Sequence, residues 1–404
     1  MHKAAGLQAF GRFCRSLSDR GGQKQGGSWH LPMIMIMTAV VASSCGSSRQ
    51  PHEGRLITDS AGRQVTVPDT VKSVIALKSG TLRLLSYMKV THLVSHIEGS
   101  EQRRNVLYLF ANPHLRELPP IGAGNNYDTE LLAAAAPDLI LATFMSPLEA
   151  DRLEQLTRRP VVLLEYGDLG ERRTKLFGTL TLLGTIFHRE ERADTLINYI
   201  ETTINECTRR AAAATEKPCS AYIGGVAYNG AHGITSTEPD YPPFAMLSVY
   251  NVAAGLGLRV NGDAPGHEVV FIDPEQLIQW NPDILFLDAA GSRIWQEELA
   301  APSVFSPLKA LREGKAYTVL PYNWNTTNYE NLLCNAWYIG SLLMPSAFGD
   351  VDAGQRGREV MQLLYGADIY DKAVDYYQPF RQYLDFSMHD NISSADTLPA
   401  IRHE

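Results

Sequence analysis

An α/β fold of two similar lobes, each built on a parallel-rich sheet and joined by a long rigid α-helix, is what this sequence predicts. Three observations predict it. First, two stretches repeat each other. One is Asp128-Thr129-Glu130-Leu131-Leu132, a run of alanines, then Pro137-Asp138-Leu139-Ile140-Leu141. The other is Asp273-Pro274-Glu275-Gln276-Leu277, then Ile278 to Asn281, then Pro282-Asp283-Ile284-Leu285-Phe286. Each reads as an Asp cap, a Glu in the first turn, a short helix, a Pro-Asp break and a buried strand. Second, short apolar runs alternate with helical patterns on either side of the middle, which implies parallel sheets in Rossmann-like lobes. Third, Asp168 to about Ala214 holds no proline and carries Leu176, Leu180, Leu183, Ile186, Leu196, Ile197, Ile200 and Ile204 at helical spacing. That stretch predicts one main rod with a break near His188, and a rigid rod predicts small lobe motion.

The segments follow in order. Residues 1–44 read as a signal peptide, with a basic stretch and then the apolar run Leu31 to Ala42, too short to span a bilayer. Ser43-Ser44-Cys45-Gly46 resembles a bacterial lipobox, in which Cys45 is lipidated; the other reading is a plain secretory signal with an incidental cysteine. Residues 45–55 then form a polar tether. Residues 56–167 are the first lobe. It opens with a hairpin from Leu56 to Pro68 about a Gly62 turn, followed by strand Val74–Leu77, a helix over 80–88 and a strand over 90–96. After the first repeat unit, ending at Ala142, a strand is expected at Val161–Leu164.

Residues 168–216 connect the lobes, and residues 217–345 are the second. Cys219–Val226 reads as a strand, a long loop runs from Tyr228 to Pro243, and a helix is expected over Asn251–Leu256. The second repeat unit, a strand at Lys315–Leu320, a polar-aromatic loop at Pro321–Tyr329 and a helix over 330–344 complete it. Residues 346–390 are C-terminal helices, and 391–404 a loose tail.

Composition bounds the function. The net charge is −8, and residues 1–44 contribute about +4 of basic excess, leaving −12 on the rest. No basic face is on offer, so nucleic acid is excluded as a partner. Phosphate-binding, nucleophile-elbow and zincin motifs are missing; His267-Glu268 comes near the last, but position 271 is Phe. Cys207, Cys219 and Cys334 show no metal-ligand spacing. Cys207 and Cys219 could pair in an oxidising compartment, or each could be an isolated buried thiol.

Candidate binding residues sit in loops at strand ends, the usual ligand edge of open α/β sheets. They are Ser79, Ile97 to Ser100, the Tyr228–Pro243 loop with His232, and Tyr322, Asn323, Trp324, Thr326, Thr327 and Tyr329. Aromatics, amides and hydroxyls in that mixture stack on bulky ligands and hydrogen-bond oxygens. The three aromatics either line a cleft or pack the lobe's rim. His232 is either an axial or metal ligand or a hydrogen-bonded loop histidine.

The hairpin Ile57 through Pro68, the paired Glu-x6-Pro-Asp units and the connecting helix together resemble the substrate-binding lipoproteins of iron-siderophore, haem and cobalamin ABC importers. These are class III periplasmic binding proteins, also called helical-backbone metal receptors. The resemblance covers Leu56 to Phe386. Gly230 to Thr237 and Pro321 to Asn328 resemble a branch assigned iron or haem-type ligands, with relatives linked to metal oxyanions. The resemblance implies a monomeric, lipid-anchored, non-enzymatic receptor of the bacterial cell envelope, facing the periplasm or the exterior. It would hold no cofactor of its own. It would deliver an iron complex (siderophore or haem) to an ABC permease with its ATPase; a metal oxyanion or cobalamin is the alternative ligand, and a two-lobed surface enzyme the alternative class. By position, Glu130 and Glu275 would be the two permease-docking carboxylates; on their residues alone, both could merely complement helix dipoles.

Overall fold

The computed structural model describes residues 54–256, 269–300 and 303–383. The signal-peptide, Cys45 and tail expectations lie outside them. The chain opens with the antiparallel pair β1 (Gly54–Thr58) and β2 (Gln64–Pro68). Alternate residues Ile57, Val65 and Val67 are buried, as a half-solvated hairpin requires. Asp59 accepts from the Ala61 and Arg63 amides, and Gly62 supplies the left-handed residue of the turn.

The first lobe then runs β3 (Val74–Leu77), α1 (Thr81–Tyr87), β4 (Val94–His96), α2 (Leu107–Ala111), α3 (Thr129–Ala135), β5 (Leu139–Ala142), α4 (Pro147–Thr157) and β6 (Val161–Leu163). Its four strands are parallel in the order β4-β3-β5-β6. β3, β5 and β6 are buried throughout, because helices cover both faces. The strand expected over 90–96 is shortened by a 3-10 turn at Thr91–Leu93.

The connector is two helices, not one rod: α5 (Arg173–Phe187) and α6 (Glu190–Ala212), packed against each other. His188 is the break, with φ 52°. Gly184 allows the close approach, since a Cβ there would stand 3.1 Å from that of Ala193. α6 alone spans onward. Ala193, Leu196, Ile200, Ile204 and Cys207 form its buried stripe, while Glu190, Glu191, Arg209 and Arg210 complement its dipole. It packs against α5 at one side and against helices of the second lobe at the other.

That lobe holds β7 (Ser220–Gly224), β8 (Ser236–Thr237), α7 (Pro242–Met246), β9 (Tyr250–Asn251), β10 (Val270–Phe271), α8 (Pro274–Trp280), β11 (Ile284–Asp288), α9 (Ser292–Leu299), α10 (Lys309–Arg312), β12 (Ala316–Val319) and α11 (Tyr329–Leu343). Its main sheet is also all parallel, in the order β12-β11-β7-β9. In place of the helix expected at Asn251–Leu256 stand β9 and a single 3-10 turn. Asn251 explains the difference. Its amide donates to the Glu238 and Pro239 carbonyls and its oxygen accepts from Ala253 N–H, bonds that compete with a helix. Three helices follow, α12 (Pro345–Phe348), α13 (Ala353–Tyr365) and α14 (Tyr370–Tyr377); α13 packs on both α11 and α1. Cys207, Cys219 and Cys334 are free thiols. Among the described residues no helix is long and apolar enough to cross a membrane.

The sequence repeat is a structural one. α3 and α8 each span seven residues, and each ends in a left-handed residue, Ala136 or Asn281, before Pro-Asp. The Pro-Asp carboxylate then fastens the neighbouring strand. Asp138 accepts from Lys72 and Ser73 amides and donates its own N–H to Ser73 Oγ. Asp283 does the same with Ser220 N–H and Oγ. Lys309, then Ser220, hold the Asp283 carboxyl down to about 2. The helix starts differ. Asp128 caps α3 through its side chain, accepting from Glu130 and Leu131, whereas Asp273 makes no side-chain cap bond.

Candidate functional site

Both parallel sheets end their strands toward loops that meet between the lobes. Non-glycine residues with positive φ gather in those loops: Lys78 after β3, Phe144 after β5, Asn229 after β7, and Asn325 and Thr326 after β12. Thr326 is β-branched, the residue type least suited to φ 66°. Such conformations cost on the order of 1–3 kcal/mol each and persist only where surrounding structure imposes them.

Arg83 supplies much of that surrounding structure. It lies on α1 of the first lobe and is fully buried. Its Nη1 donates to Tyr166 Oη at 2.7 Å, Thr327 O at 3.0 Å and Asn325 O at 3.3 Å. Its Nη2 donates to Asn328 Oδ1 and, at 3.4 Å, to Trp324 O. Its Nε stands 3.7 Å from Glu330 Oε1, an ion pair with neither side chain exposed. Glu330 also accepts from Tyr87 and Tyr365 hydroxyls. Burial opposes the charge on Arg83, yet Tyr166 and Glu330 hold its pKa well above the ordinary value.

The loop after β12 is fixed from other directions as well. Asp288, fully buried at the end of β11, accepts from Tyr322 N–H at 2.7 Å and Ala290 N–H at 2.8 Å. Burial pushes its carboxyl up to about 7 against those two bonds. Asn328 Nδ2 donates to the carbonyls of Tyr322, Trp324 and Thr326. Asn325 Nδ2 reaches Tyr108 Oη in the first lobe, and Asn323 Nδ2 reaches Ala227 O after β7. Gly80 completes the junction. A Cβ there would lie 2.7 Å from the Thr326 methyl and 2.3 Å from the Tyr166 ring, so only glycine lets the lobes meet. Beside it Glu98 accepts Lys78 N–H at 3.2 Å; burial pushes its carboxyl up to about 7.

The expected site residues separate into two sets. Ser79, Asn323, Trp324 and Thr326 are half-buried at the strand ends, where a ligand can reach them. Tyr322, Thr327 and Tyr329 are buried. The Tyr322 ring meets Tyr241 edge-on, and Tyr329 donates to Tyr166 O at 2.6 Å. These three support the loop from beneath and present no cleft surface. His232 is half-buried; its Nε2 lies 2.6 Å from Tyr228 O and its ring stands edge-on to Phe271. Glu130 and Glu275 are exposed in the first turns of α3 and α8.

Sequence reading did not single out Arg83, Asn325 or Phe144. Phe144 is 54% exposed, with its ring 5.9 Å from Tyr166. Tyr228, within the long loop, is 46% exposed. Among the described residues no three His, Cys, Asp or Glu side chains converge as a metal-ligand set. Two cavities lie elsewhere. One of about 680 Å³ runs along α6 and α13 beside Arg192 and Tyr199, and one of about 430 Å³ lies beside α9 near Glu298. Neither includes the strained strand-end residues, so the site is assigned by the converging loops.

Residues 89–322 match the family described as periplasmic binding protein. The molybdate-binding protein MolA of Haemophilus influenzae is 23% identical over 341 residues, covering 77% of this chain and 91% of that protein. The Fe(3+)-citrate-binding protein YfmC of Bacillus subtilis is 20% identical over 302 residues, covering 72% and 89%. Among solved structures, MolA bound to molybdate superposes with a TM-score of 0.62 at 20% identity, covering 78% of this chain and 98% of that one. A periplasmic solute binding protein from Veillonella parvula gives 0.63 at 19%, covering 80% and 95%.

Proposed function

The chain belongs to the periplasmic binding protein family, a family of transport-binding proteins and not of enzymes, and from that premise we propose that it captures a compact, oxygen-rich metal anion at the strand ends between its lobes. It then delivers that ligand to an ABC permease and its ATPase. The single observation that carries this reading is the strained loop Trp324–Asn328, seated on Arg83 and in contact with Gly80. With the loop filling the junction, the half-buried residues there are Ser79, Asn323, Trp324, Asn325 and Thr326: two hydroxyls, one aromatic and two amides, each amide donating once, to Ala227 O or Tyr108 Oη, and keeping a second N–H. Such donors satisfy the oxygens of an oxyanion without a counter-charge. The similarity to a molybdate-binding protein supports the same choice.

An iron complex is the second reading. The similarity to a ferric-citrate-binding protein favours it, and ferric citrate is likewise an oxygen-rich metal anion, its oxygens carried on carboxylates. Haem has less support, since His232 Nε2 is hydrogen-bonded to Tyr228 O. On this reading Glu130 and Glu275 contact the permease, one per lobe, and Cys45 carries the lipid that anchors the chain at the cell envelope.

Titration calorimetry with molybdate, tungstate and ferric citrate, together with the metal content and visible spectrum of protein from its native host, tests the ligand. Saturable heat with an oxyanion supports the first reading. Heat with ferric citrate alone, or a ferric charge-transfer band, selects the second. A Soret band with no response to either anion class overturns both. Mass spectrometry finding mature Cys45 unmodified would refute the anchor.

A further inference from the structure

We propose that Arg83 is the positioning residue for ligand capture: from the first lobe it holds the second lobe's Trp324–Asn328 loop in its left-handed form, and binding depends on it. The inference rests on the reading of these strand ends as the ligand site.

Three observations converge. The loop holds two consecutive non-glycine residues in the left-handed region, Asn325 at φ 57° and Thr326 at φ 66°. Backbone of that kind relaxes unless its carbonyls are pinned. Arg83 pins three of them, those of Trp324, Asn325 and Thr327, and takes Asn328 Oδ1 as well. Finally, the guanidinium is itself immobilised by Glu330, by Tyr166 and by the Tyr108 ring, whose centroid lies 5.3 Å away.

The side-chain chemistry fits the task. A guanidinium offers five donors in a rigid planar fork, so one residue reaches several carbonyls at once. A lysine ammonium keeps the charge beside Glu330 but radiates its three donors from one point. Arg83→Lys therefore separates two roles. If Arg83 serves only as a buried counter-ion, lysine substitutes for it and the loop is unchanged. If Arg83 shapes the loop, lysine leaves the charge in place and frees the carbonyls.

The test is amide hydrogen exchange on the full chain, without ligand, in wild type and Arg83→Lys. The reporter is Asn328 N–H, which donates to Tyr322 O at 2.9 Å inside the loop. The control is Ile140 N–H, which donates to Pro160 O at 3.0 Å in the first-lobe sheet. Exchange at Asn328 should rise by about ten-fold or more, as removal of hydrogen bonds from a charged donor implies, with Ile140 unmoved. Tyr166→Phe, which removes one partner shared by Arg83 and Thr327 O, should act in the same direction to a smaller extent. It also serves if Arg83→Lys fails to fold. Titration of both variants with molybdate should then show affinity lowered by a similar factor at unchanged stoichiometry. Unchanged exchange at Asn328 in either folded variant overturns the proposal, as does a rise that Ile140 shares. Wild type that ignores molybdate while Asn328 still responds would instead refute the oxyanion reading and leave the positioning role standing.

Discussion

Glu330→Gln should destabilise the protein by about 3–5 kcal/mol, the usual loss when one member of a buried ion pair is removed. The structure says why the loss is large. Glu330 is wholly buried in the first turn of α11, and its two oxygens receive the hydroxyls of Tyr87 and Tyr365 while Arg83 stands 3.7 Å away. Glutamine keeps the shape. Its carbonyl can accept one phenol, and its NH2 can donate to the other once that hydroxyl turns. What it cannot do is balance the guanidinium, which stays buried with its charge opposed only by dipoles. Each phenol bond also loses its charged acceptor, about 1 kcal/mol apiece. Against a total stability of roughly 5–15 kcal/mol, this is a large share. Urea unfolding followed by circular dichroism and by tryptophan emission measures it, and coincident transitions license the two-state treatment. Tyr365→Phe, which removes one hydroxyl and no charge, should cost less, about 1–2 kcal/mol. The double variant Arg83→Met/Glu330→Gln should be more stable than the sum of the single losses by about 1.5 kcal/mol or more. A Glu330→Gln protein within about 1 kcal/mol of wild type would show that the pair is not a charge-compensating unit, and the reasoning fails.

Three further predictions follow from separate parts of the molecule. Glu130→Lys and Glu275→Lys should each abolish uptake in cells, leave ligand affinity unchanged and cost at most about 1 kcal/mol of stability; normal transport by the double variant would sink the docking role. Asp288 and Glu98 are both raised to about 7, so the native state keeps protons that the unfolded chain releases near 4. Their contribution is complete below pH 4 and is lost as pH rises toward 7; urea midpoints should fall from pH 5 to 7.5, and a steeper fall in Asp288→Asn than in wild type would refute this. Ser220→Ala removes the Ser220 Oγ acceptor of Asp283 N–H and should cost about 1–2 kcal/mol, whereas Ser73→Ala leaves Asp138 N–H its second bond, to Ser73 O at 3.1 Å, and should cost less; a larger loss in Ser73→Ala than in Ser220→Ala would refute this.

Much of this fold could be read along the chain because its signals are local. The Glu-x6-Pro-Asp units announced α3 with β5 and α8 with β11, and the spacing of Leu196, Ile200 and Ile204 announced α6. The break near His188 was legible in the connector, but not that Gly184 and the left-handed His188 fold α5 back against α6. The Pro-Asp fasteners had a usable signal: a serine immediately before β3, and a serine opening β7, at matched positions. The site was less legible. Tyr322 and Tyr329 have the composition of cleft aromatics, yet whether an aromatic faces in or out of a loop depends on partners such as Tyr241 and Tyr166, far off in sequence. Arg83 was hidden for the same reason. Within Thr81 to Tyr87 it looks like the solvated side of a short helix, but its hydrogen-bond acceptors lie more than 240 residues downstream, apart from Tyr166.

That separation sets an order of events in folding. Tyr87 and Glu330 are 243 positions apart, and the bond between them crosses from α1 to α11. During synthesis at roughly 5–20 residues per second, Arg83 emerges tens of seconds before the carboxylate that neutralises it. Before then Arg83 lacks its counter-ion and the four acceptors of the Trp324–Asn328 loop, so closing over it would strand an uncompensated cation. The surroundings of Arg83 are therefore complete only when the C-terminal half is present. The two halves are thus joined by more than the connector: they share a charge pair that neither half can satisfy alone.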